Sequence, residues 1–320
     1  MSIPISIVIP VYNEEGSIVS LISEVCDVFD PMYKQYEVIV VNDGSTDATL
    51  KNLEAAQQEN KKLIVINLAR NFGQTAATAA GIDYAQGKII VGLDGDGQND
   101  PNEFPKMLAL LEEGFDVVCG WRMNRKDKLF TRKIPSAIAN SLISRVSGVQ
   151  LRDYGCSQKV YRREFITNLK LMGDMHRFIP IYLSWMGGKV TEVGVNHRPR
   201  TEGVSKYGLN RTFKVILDIL LIRFLYHSIT KPMHFFGGFG LLFIGFGLVS
   251  VTIAILLKIF YNTSLIQTPL PLMSAISLLL GCVTILLGII AELIVKVYYS
   301  PANIKPYLLA KKPLQPNNKP

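Results

Sequence analysis

Cysteine is scarce in this sequence of 320 residues, which contains four of them. They are scattered along the chain, and no pair has the close spacing of a metal-binding motif. This distribution argues against a cysteine-ligated metal, and it predicts reduced, structural thiols in a chain that faces the cytosol. The positions concerned are Cys26, Cys119, Cys156 and Cys282.

The sequence also lacks a basic run interleaved with aromatic residues, a pattern that is typical of nucleic-acid-binding segments. This absence matters because the formal net charge of +8 predicts an anionic partner. Phosphate groups and an anionic membrane surface remain as the partners that the charge favours. We therefore expect no nucleic acid among the ligands.

The N-terminus has no basic region ahead of its apolar residues, and it contains Pro4 and Pro10. A secretory signal peptide would combine a basic segment with an uninterrupted apolar one. The apolar residues here alternate in the manner of a strand. We therefore expect no signal peptide and a first strand close to the N-terminus.

Charged side chains are absent from two long segments after residue 230, over 234–257 (unless His234 is protonated) and 265–291. Each exceeds the roughly 20 apolar residues that cross a bilayer. A short polar link at 261–264 separates them. The two segments predict a transmembrane hairpin over 233–296, with helices at about 234–258 and 267–292.

Basic residues flank this hairpin on its outer sides. By the positive-inside rule, they place both ends and the preceding domain on the cytoplasmic side of the inner (plasma) membrane. Ahead of the hairpin, 213–230 is apolar with interrupting charges, which predicts an interfacial helix within 209–232. A cytoplasmic tail over 297–320 is expected to follow. The basic residues are Arg211, Lys214, Arg223, Lys231, Lys296, Lys305, Lys311 and Lys312.

Short apolar runs alternate with helical segments through the first part of the chain. This alternation predicts an α/β domain over 1–208 with a doubly wound, mostly parallel sheet. Asn13 is expected to cap the first helix, and Ser45 or Thr46 the second. The predicted strands are 5–10, 37–41, 63–69, 88–94, 116–120 and 189–197, and the predicted helices are 14–29, 48–59, 75–86, 101–113, 134–147 and 177–186.

The fourth predicted strand is followed by two carboxylates and an amide, Asp94, Asp96 and Gln98. Ligands of open α/β sheets bind beyond the carboxyl ends of the strands, where these side chains would lie. Neighbouring carboxylates repel one another unless a cation lies between them, and a divalent cation with phosphate oxygens meets that need. A polar turn without a ligand is the alternative. Asp43, after the second strand, is likewise either a nucleoside ligand or a turn residue.

Two basic segments follow the predicted sheet strands. Arg122 and Arg132 belong to a stretch that ends at Lys133, and Arg200, Ser205 and Lys206 belong to a glycine-containing loop. Cations of this kind are either a solvated surface or a phosphate-binding group. A loop that carries both cations and hydroxyls suits closure over a diphosphate.

Four short motifs together resemble the GT-A-fold glycosyltransferases of family 2. Two later motifs and the hairpin narrow the resemblance to the polyprenyl-phosphate glycosyltransferases, and the resemblance covers nearly the whole chain. The first four motifs are IPVYNE at 9–14, VNDGS at 41–45, RNFGQ at 70–74 and DGDGQ at 94–98, and the later two are DYGC at 153–156 and GVSKY at 203–207.

The resemblance implies inverting transfer of a sugar from a nucleotide sugar, with uridine as the expected base, to a polyprenyl phosphate such as undecaprenyl phosphate. It also implies a Mg²⁺ or Mn²⁺ ion held by Asp94, Asp96 and Gln98. The implied donor-binding residues are Pro10, Tyr12, Glu14, Asp43, Asp94 and Gln98, the implied phosphate-binding residues on the acceptor side are Arg122, Arg132, Ser205 and Lys206, and the implied catalytic residues are Asp96, Asp153 and Arg200.

This chain departs from the family pattern at two places. Gly95 and Gly97 stand where many relatives have alanine and leucine, which makes the loop more flexible. Ser157 stands near the position where some relatives have an aspartate that is interpreted as a catalytic base. Asp153 is then the nearest carboxylate candidate for that role.

Two other functions are compatible with parts of the sequence. A processive polysaccharide synthase would need more membrane helices and a Gln-x-x-Arg-Trp motif, and the sequence contains neither. A catalytically silent, membrane-tethered scaffold that binds nucleotide sugars would be favoured by loss of Asp94 or Asp96, and both are present. Homo-oligomerisation through the transmembrane helices is a further interaction that the hairpin would allow.

Overall fold

The structure is a computed structural model, and it describes residues 4–123, 134–167, 169, 171, 175–198 and 232–299, with side chains described outside 134–139 and 296–299. The described residues fall into two compact units, one on each side of the gap between 198 and 232. The first is an α/β unit and the second is a pair of helices. The predicted interfacial helix over 209–232 lies outside the described residues except for Pro232. The predicted tail over 297–320 lies outside them from residue 300 on, and residues 297–299 belong to the last helix instead.

Within the described residues, a seven-stranded sheet forms the α/β unit, in the order β3-β2-β1-β4-β6-β5-β7. Neighbouring strands are parallel except for β6, which runs antiparallel to β4 and β5. The predicted, mostly parallel sheet is therefore confirmed. The strands are β1 (Ile5–Val11), β2 (Glu37–Asn42), β3 (Leu63–Asn67), β4 (Ile89–Gly92), β5 (Val117–Arg122), β6 (Lys159–Arg162) and β7 (Val190–Val195).

Strand β6 is the strand that the sequence pattern does not predict. It has four residues, and a basic residue stands at each end. Its two central side chains, Val160 and Tyr161, are buried where β6 pairs with β4 and β5. The strand therefore owes its conformation to its neighbours rather than to a periodic pattern of its own.

Helices cover both faces of the sheet, as the doubly wound prediction requires. Within the described part they are α1 (Ile18–Phe29), α2 (Thr49–Glu59), α3 (Gln74–Tyr84), α4 (Phe104–Glu112), α5 (Ile134–Ser147), α6 (Arg163–Ile166) and α7 (Ile179–Trp185). On one face, Ile7 and Ile9 of β1 share a buried core with α1 and α4. On the other face, α3 lies so close to β1 that Gly81 has no room for a Cβ beside Val8.

Both predictions of helix caps are wrong. Helix α1 begins at Ile18 rather than directly after Asn13, whose backbone is left-handed with a φ of 56°. Helix α2 begins at Thr49, and neither Ser45 nor Thr46 caps it. These polar side chains instead form bonds between two loops, which are described below.

The second unit consists of α8 (Pro232–Tyr261) and α9 (Leu270–Tyr299), which confirms the predicted pair of long apolar helices. Each helix is long and apolar enough to cross a membrane. Small residues lie between the helices, where a Cβ on Gly240 would meet the backbone oxygen of Gly281, and Ser274 Oγ donates to the Gly247 carbonyl at 2.8 Å. Large apolar side chains cover the outer surface, which is typical of helix pairs in lipid.

Candidate active site

Parallel strands bring polar loops to one edge of the sheet. Strand β1 lies between β2 and β4, with Val11 opposite Asn42 and Val8 opposite Gly92. Because the three strands run in the same direction, the residues that follow them lie along the same edge. The predicted donor-binding residues, Pro10, Tyr12, Glu14, Asp43, Asp94 and Gln98, come from the ends of these three strands and the loops that follow.

Side-chain bonds join the loop after β1 to the loop after β2. The Asn13 N–H donates to Ser45 Oγ at 2.9 Å, and Asn13 Oδ1 accepts from the Thr46 N–H at 2.8 Å. One residue further, the Glu14 N–H donates to Thr49 Oγ1 at 2.9 Å. These polar groups therefore form hydrogen bonds from one loop to the other, which explains why they do not cap the helices as predicted. The two joined loops present one ordered surface at the strand ends.

Asp43 is 3% exposed, and both of its carboxylate oxygens accept bonds. The Phe72 N–H donates to Oδ1 at 2.7 Å, and the Gly73 N–H donates to Oδ2 at 2.9 Å. Gly73 has a φ of 95°, a conformation that favours glycine. Asp43 thus binds the backbone of the loop after β3, whereas a plain turn residue would bind the backbone of the loop in which it lies. Each oxygen has a second lone pair, and its role toward a nucleoside stays a prediction.

The two carboxylates after β4 lie close enough to influence each other. Asp94 Oδ1 accepts from Gln74 Nε2 at 2.6 Å, and Asp96 Oδ1 accepts from the backbone N–H of Gln98 at 3.2 Å. Burial, together with the charge of Asp96, raises the pKa of Asp94 to about 6. The repulsion between Asp94 and Asp96, which their spacing in the sequence predicts, therefore acts in the folded protein.

The donor atoms at this point suit a divalent cation bound together with phosphates. Within the described ranges, no group of three or more His, Cys, Asp and Glu side chains is placed to enclose a metal. Magnesium commonly uses one or two carboxylates and completes its shell with phosphate and water oxygens. Asp94, Asp96 and Gln98 offer oxygen ligands of this kind. A cation here would also offset the repulsion that raises the pKa of Asp94.

Arg122 and Asp153, predicted for separate roles, bind each other. Arg122 Nε donates to Asp153 Oδ2 at 2.6 Å, and Nη2 donates to Oδ1 at 2.9 Å. The Gly155 N–H adds a bond to Oδ1 at 3.1 Å, and the Asp153 side chain is 8% exposed. A bidentate pair of this kind fixes the plane of the guanidinium group. Asp153 therefore orients Arg122 at the end of β5.

Gln74 and Asn99 are site residues that the sequence did not predict. Gln74 fixes Asp94, and it closes the RNFGQ motif, a position that could have indicated the contact. Asn99 Nδ2 donates to Ser157 Oγ at 2.7 Å. Ser157 is therefore tied to the loop that follows β4.

Lys159 is a buried lysine whose charge interacts with those of Asp94 and Asp153. It is 4% exposed, and its Nζ donates to the carbonyls of Tyr154 and His176 at 3.4 and 3.5 Å. Burial lowers its pKa, while the charges of Asp153 and Asp94 act in the opposite direction. The sequence gives no signal for it beyond a lysine at the start of β6, a four-residue strand with basic residues at both ends and no apolar run.

Four predicted residues lie outside the described residues, and their roles stay predictions. They are Arg132, Arg200, Ser205 and Lys206.

The sequence matches a known family over the α/β unit. The model of the family described as Glycosyl transferase family 2 matches residues 6–169. The chain therefore belongs to glycosyl transferase family 2. It is 44% identical to the dodecaprenyl-phosphate galacturonate synthase of Rhizobium johnstonii over 308 residues, which cover 93% of this chain and 89% of the relative. It is also 35% identical to the undecaprenyl-phosphate 4-deoxy-4-formamido-L-arabinose transferase of Shewanella sediminis over 296 residues, which cover 92% and 88%.

Solved structures share the fold. The glucosyl-3-phosphoglycerate synthase of Mycobacterium tuberculosis, in complex with Mn²⁺, UDP and phosphoglyceric acid, has a TM-score of 0.55 and 18% sequence identity. The match covers 70% of this chain and 78% of that one. The predicted GT-A-type fold is therefore confirmed.

Replacing Asp43 by asparagine should loosen the loop after β3. The asparagine NH₂ group would face one of the two N–H donors, which would lose its acceptor, and a hydrogen bond to a charged group contributes about 1.5–3 kcal/mol. We expect Asp43→Asn to accelerate amide hydrogen exchange at Phe72 and Gly73 by about tenfold or more, measured by mass spectrometry. Asp47→Asn is the control, because Asp47 likewise accepts from two backbone N–H groups, and it should leave the amides of Phe72 and Gly73 unchanged. Unchanged exchange in Asp43→Asn would show that the two bonds do not hold the loop.

Proposed function

We propose that this glycosyltransferase moves a sugar from a nucleotide sugar to the phosphate group of a polyprenyl lipid. The observation that carries the proposal is the close pair of Asp94 and Asp96 at the end of β4, on the sheet edge that also carries Asp43. A nucleoside diphosphate suits such an edge, because a divalent cation can bind the carboxylates and the diphosphate at the same time. The two relatives named above have dodecaprenyl phosphate and undecaprenyl phosphate in their names, and the similarity covers nearly the whole chain.

The donor would lie along the ends of β1, β2 and β4. Asp43 and the two joined loops would hold the nucleoside, with uridine as the expected base. Asp94, Asp96 and Gln98 would hold Mg²⁺ or Mn²⁺, with Asp96 as the main ligand. When bound, such a cation stabilises the negative charge that develops on the departing nucleoside diphosphate. The Mn²⁺ and UDP bound to a protein of the same fold support this assignment.

The transfer does not require a strong base. A lipid phosphate is already ionised near neutral pH, so its oxygen can attack the anomeric carbon directly. The new bond joins that carbon to the lipid phosphate oxygen, and the bond to the donor diphosphate breaks. The nucleoside diphosphate leaves with the electron pair, and no proton changes place. A single displacement of this kind inverts the anomeric centre.

Arg122 would contribute positive charge on the phosphate side of the reaction. Its guanidinium plane is fixed by Asp153, whose two oxygens already accept bonds from Arg122 and Gly155. We therefore assign to Asp153 the positioning of Arg122 rather than the role of a base. Arg132, Arg200, Ser205 and Lys206 keep their predicted role toward phosphates.

Helices α8 and α9 would anchor the chain in the membrane that contains the lipid acceptor. Their length, their apolar outer surfaces and the names of the relatives support membrane association. We propose that they span the inner (plasma) membrane, with the catalytic domain over 1–208 on the cytoplasmic side. The interfacial helix over 209–232 would lie along the same membrane surface.

Asp96→Asn should abolish the transfer while leaving the protein folded, because it removes a metal ligand without changing the packing. The assay uses purified protein, undecaprenyl phosphate and radiolabelled nucleotide sugars, including UDP-galacturonate, UDP-4-deoxy-4-formamido-L-arabinose and UDP-glucose, and it counts the label in extracted lipid. We expect a loss of about 100-fold or more with unchanged thermal unfolding.

Asp83→Asn is the matched control, because Asp83 is exposed on α3. It should retain wild-type activity. Near-normal turnover of Asp96→Asn at saturating Mn²⁺ would overturn the metal assignment. Absence of labelled lipid with every donor in the wild-type protein would favour the nucleotide-sugar-binding scaffold instead.

The variant Asp153→Asn distinguishes two roles of Asp153, the positioning of Arg122 and action as a catalytic base. Loss of the carboxylate charge weakens the hold on Arg122, and we expect kcat/KM to fall by about tenfold, or about 1.4 kcal/mol. The pH profile of the remaining activity should keep its shape, and Arg122→Met should add little to the loss in the double variant. If Asp153 were the base, the acidic limb of the pH profile would disappear in Asp153→Asn while Arg122→Met kept it.

The membrane topology predicts which sites a membrane-impermeant thiol reagent can reach. In a protein whose four native cysteines are replaced by alanine, a cysteine at position 262 should be labelled from the non-cytoplasmic side. A cysteine at position 317 should be labelled only from the cytoplasm. Labelling of both positions from one side would contradict the hairpin topology.

A further inference from the structure

The segment that follows β7 is hydrogen-bonded to the segment that follows β4. The Arg198 N–H donates to the carbonyl of Gln98 at 2.8 Å, and His197 forms an antiparallel bridge with Asn99. Upstream, the Asn196 N–H donates to the carboxylate of Glu103 at 3.1 Å. Asn196 and Arg198 are thus bonded to the segment that begins with Gln98, and His197 between them lies opposite Asn99.

The side chain of Arg198 adds a second set of bonds at the same place. Nη1 lies 2.6 Å from Glu24 Oε2 on α1, and Nη2 lies 2.9 Å from Asp100 Oδ1. Asp100 in turn accepts from the Asn102 N–H at 3.0 Å, and its carbonyl accepts from Gln158 Nε2 at 2.7 Å. One guanidinium therefore links α1 to the segment two residues beyond Gln98.

The loop between Asp94 and Gln98 needs such support. It contains Gly95 and Gly97, and glycine loses more conformational freedom on ordering than any other residue. Gly97 has a φ of 68°, and ordering each backbone residue costs about 1–2 kcal/mol. A ligand set that includes Asp96 and Gln98 has to be held near its binding geometry before the metal arrives.

We propose that Arg198 is a positioning residue that holds the loop from Asp96 to Gln98 in the conformation that binds the metal and the donor diphosphate. The inference rests on the proposed function, because it concerns the metal site assigned there. Arg198 acts through Gln98 and Asp100 rather than by touching the substrate. Its planar fork spans two carboxylates at once, a geometry that a lysine ammonium does not reproduce.

The test measures Mn²⁺ binding directly. Free Mn²⁺ is followed by electron paramagnetic resonance while the full-length protein is titrated with Mn²⁺ at a fixed concentration of UDP. We expect Arg198→Met to weaken Mn²⁺ binding by about tenfold, and Arg198→Lys to weaken it by a smaller factor. The kcat measured at saturating Mn²⁺ should fall less than threefold, because the positioned ligands themselves are unchanged.

Arg162→Met is the matched control. Arg162 is a similarly exposed arginine, at 37% against 34% for Arg198, and it also pairs with an aspartate, Asp116. It lies at the opposite edge of the sheet, because it pairs with Ile89 at the start of β4. Its loss should lower thermal stability without changing the affinity for Mn²⁺.

Two milder variants keep the inference testable if Arg198→Met does not fold. Asp100→Asn keeps a good N-cap residue for the short helix at Pro101–Glu103. Glu24→Gln removes the charge of the carboxylate on α1 that pairs with Arg198. Each should weaken Mn²⁺ binding by about threefold. Wild-type Mn²⁺ affinity in these variants, or in a folded Arg198→Met, would overturn the inference. Absence of Mn²⁺ binding by the wild-type protein with UDP and with GDP would instead contradict the proposed metal site.

Discussion

The parallel pairing of β1 with β2 on one side and β4 on the other is the constraint on which the site depends. The backbone bonds fix Val11 opposite Asn42 and Val8 opposite Gly92. A shift of one residue along β1 would place Ile7 or Ile9 where Val8 contacts Gly81 of α3, so the packing of helices on both faces fixes the register. With the register fixed, Asp43 and Asp94 have to follow their strands at the same edge.

Much of the site is held together by bonds between its own polar groups. Asp43 binds two backbone N–H groups, Asp94 accepts from Gln74, and Arg122 is paired with Asp153. Groups held in this way do not have to reorganise when charge develops on a departing diphosphate, which is the physical basis of electrostatic preorganisation. The internal partners of the predicted residues are therefore compatible with their proposed roles.

The two units bury different kinds of residue for a physical reason. In the α/β unit, large apolar side chains such as Phe29 and Phe104 are fully buried, because their removal from water drives folding. In the pair of helices the small residues, such as Gly240 and Gly247, are buried and the large ones lie outside. In the membrane proposed for this pair, lipid provides no hydrophobic driving force between the helices, and close backbone contact stabilises the pair instead.

Local patterns were sufficient to predict most of the fold. The strands β1, β2 and β4 are apolar runs that end at polar residues, and the two apolar helices follow from long segments without charge. Each of these signals lies within a single stretch of sequence. The short strand β6, the start of α1 and the caps of α1 and α2 were not predicted correctly, because partners distant in the chain decide them. Asn13, for example, bonds to residues more than thirty positions away.

The sequence by itself determined which side chains stand at the strand ends, because strand periodicity and the chain order of the motifs are local properties. Only the tertiary structure decided what those side chains contact. Asp153 meets Arg122 across 31 positions, Asp43 meets Phe72 across 29, and Arg198 meets Glu24 across 174. Hydrogen bonds act over a few ångströms in space, so their partners are set by the packing of the strands and helices rather than by distance along the chain.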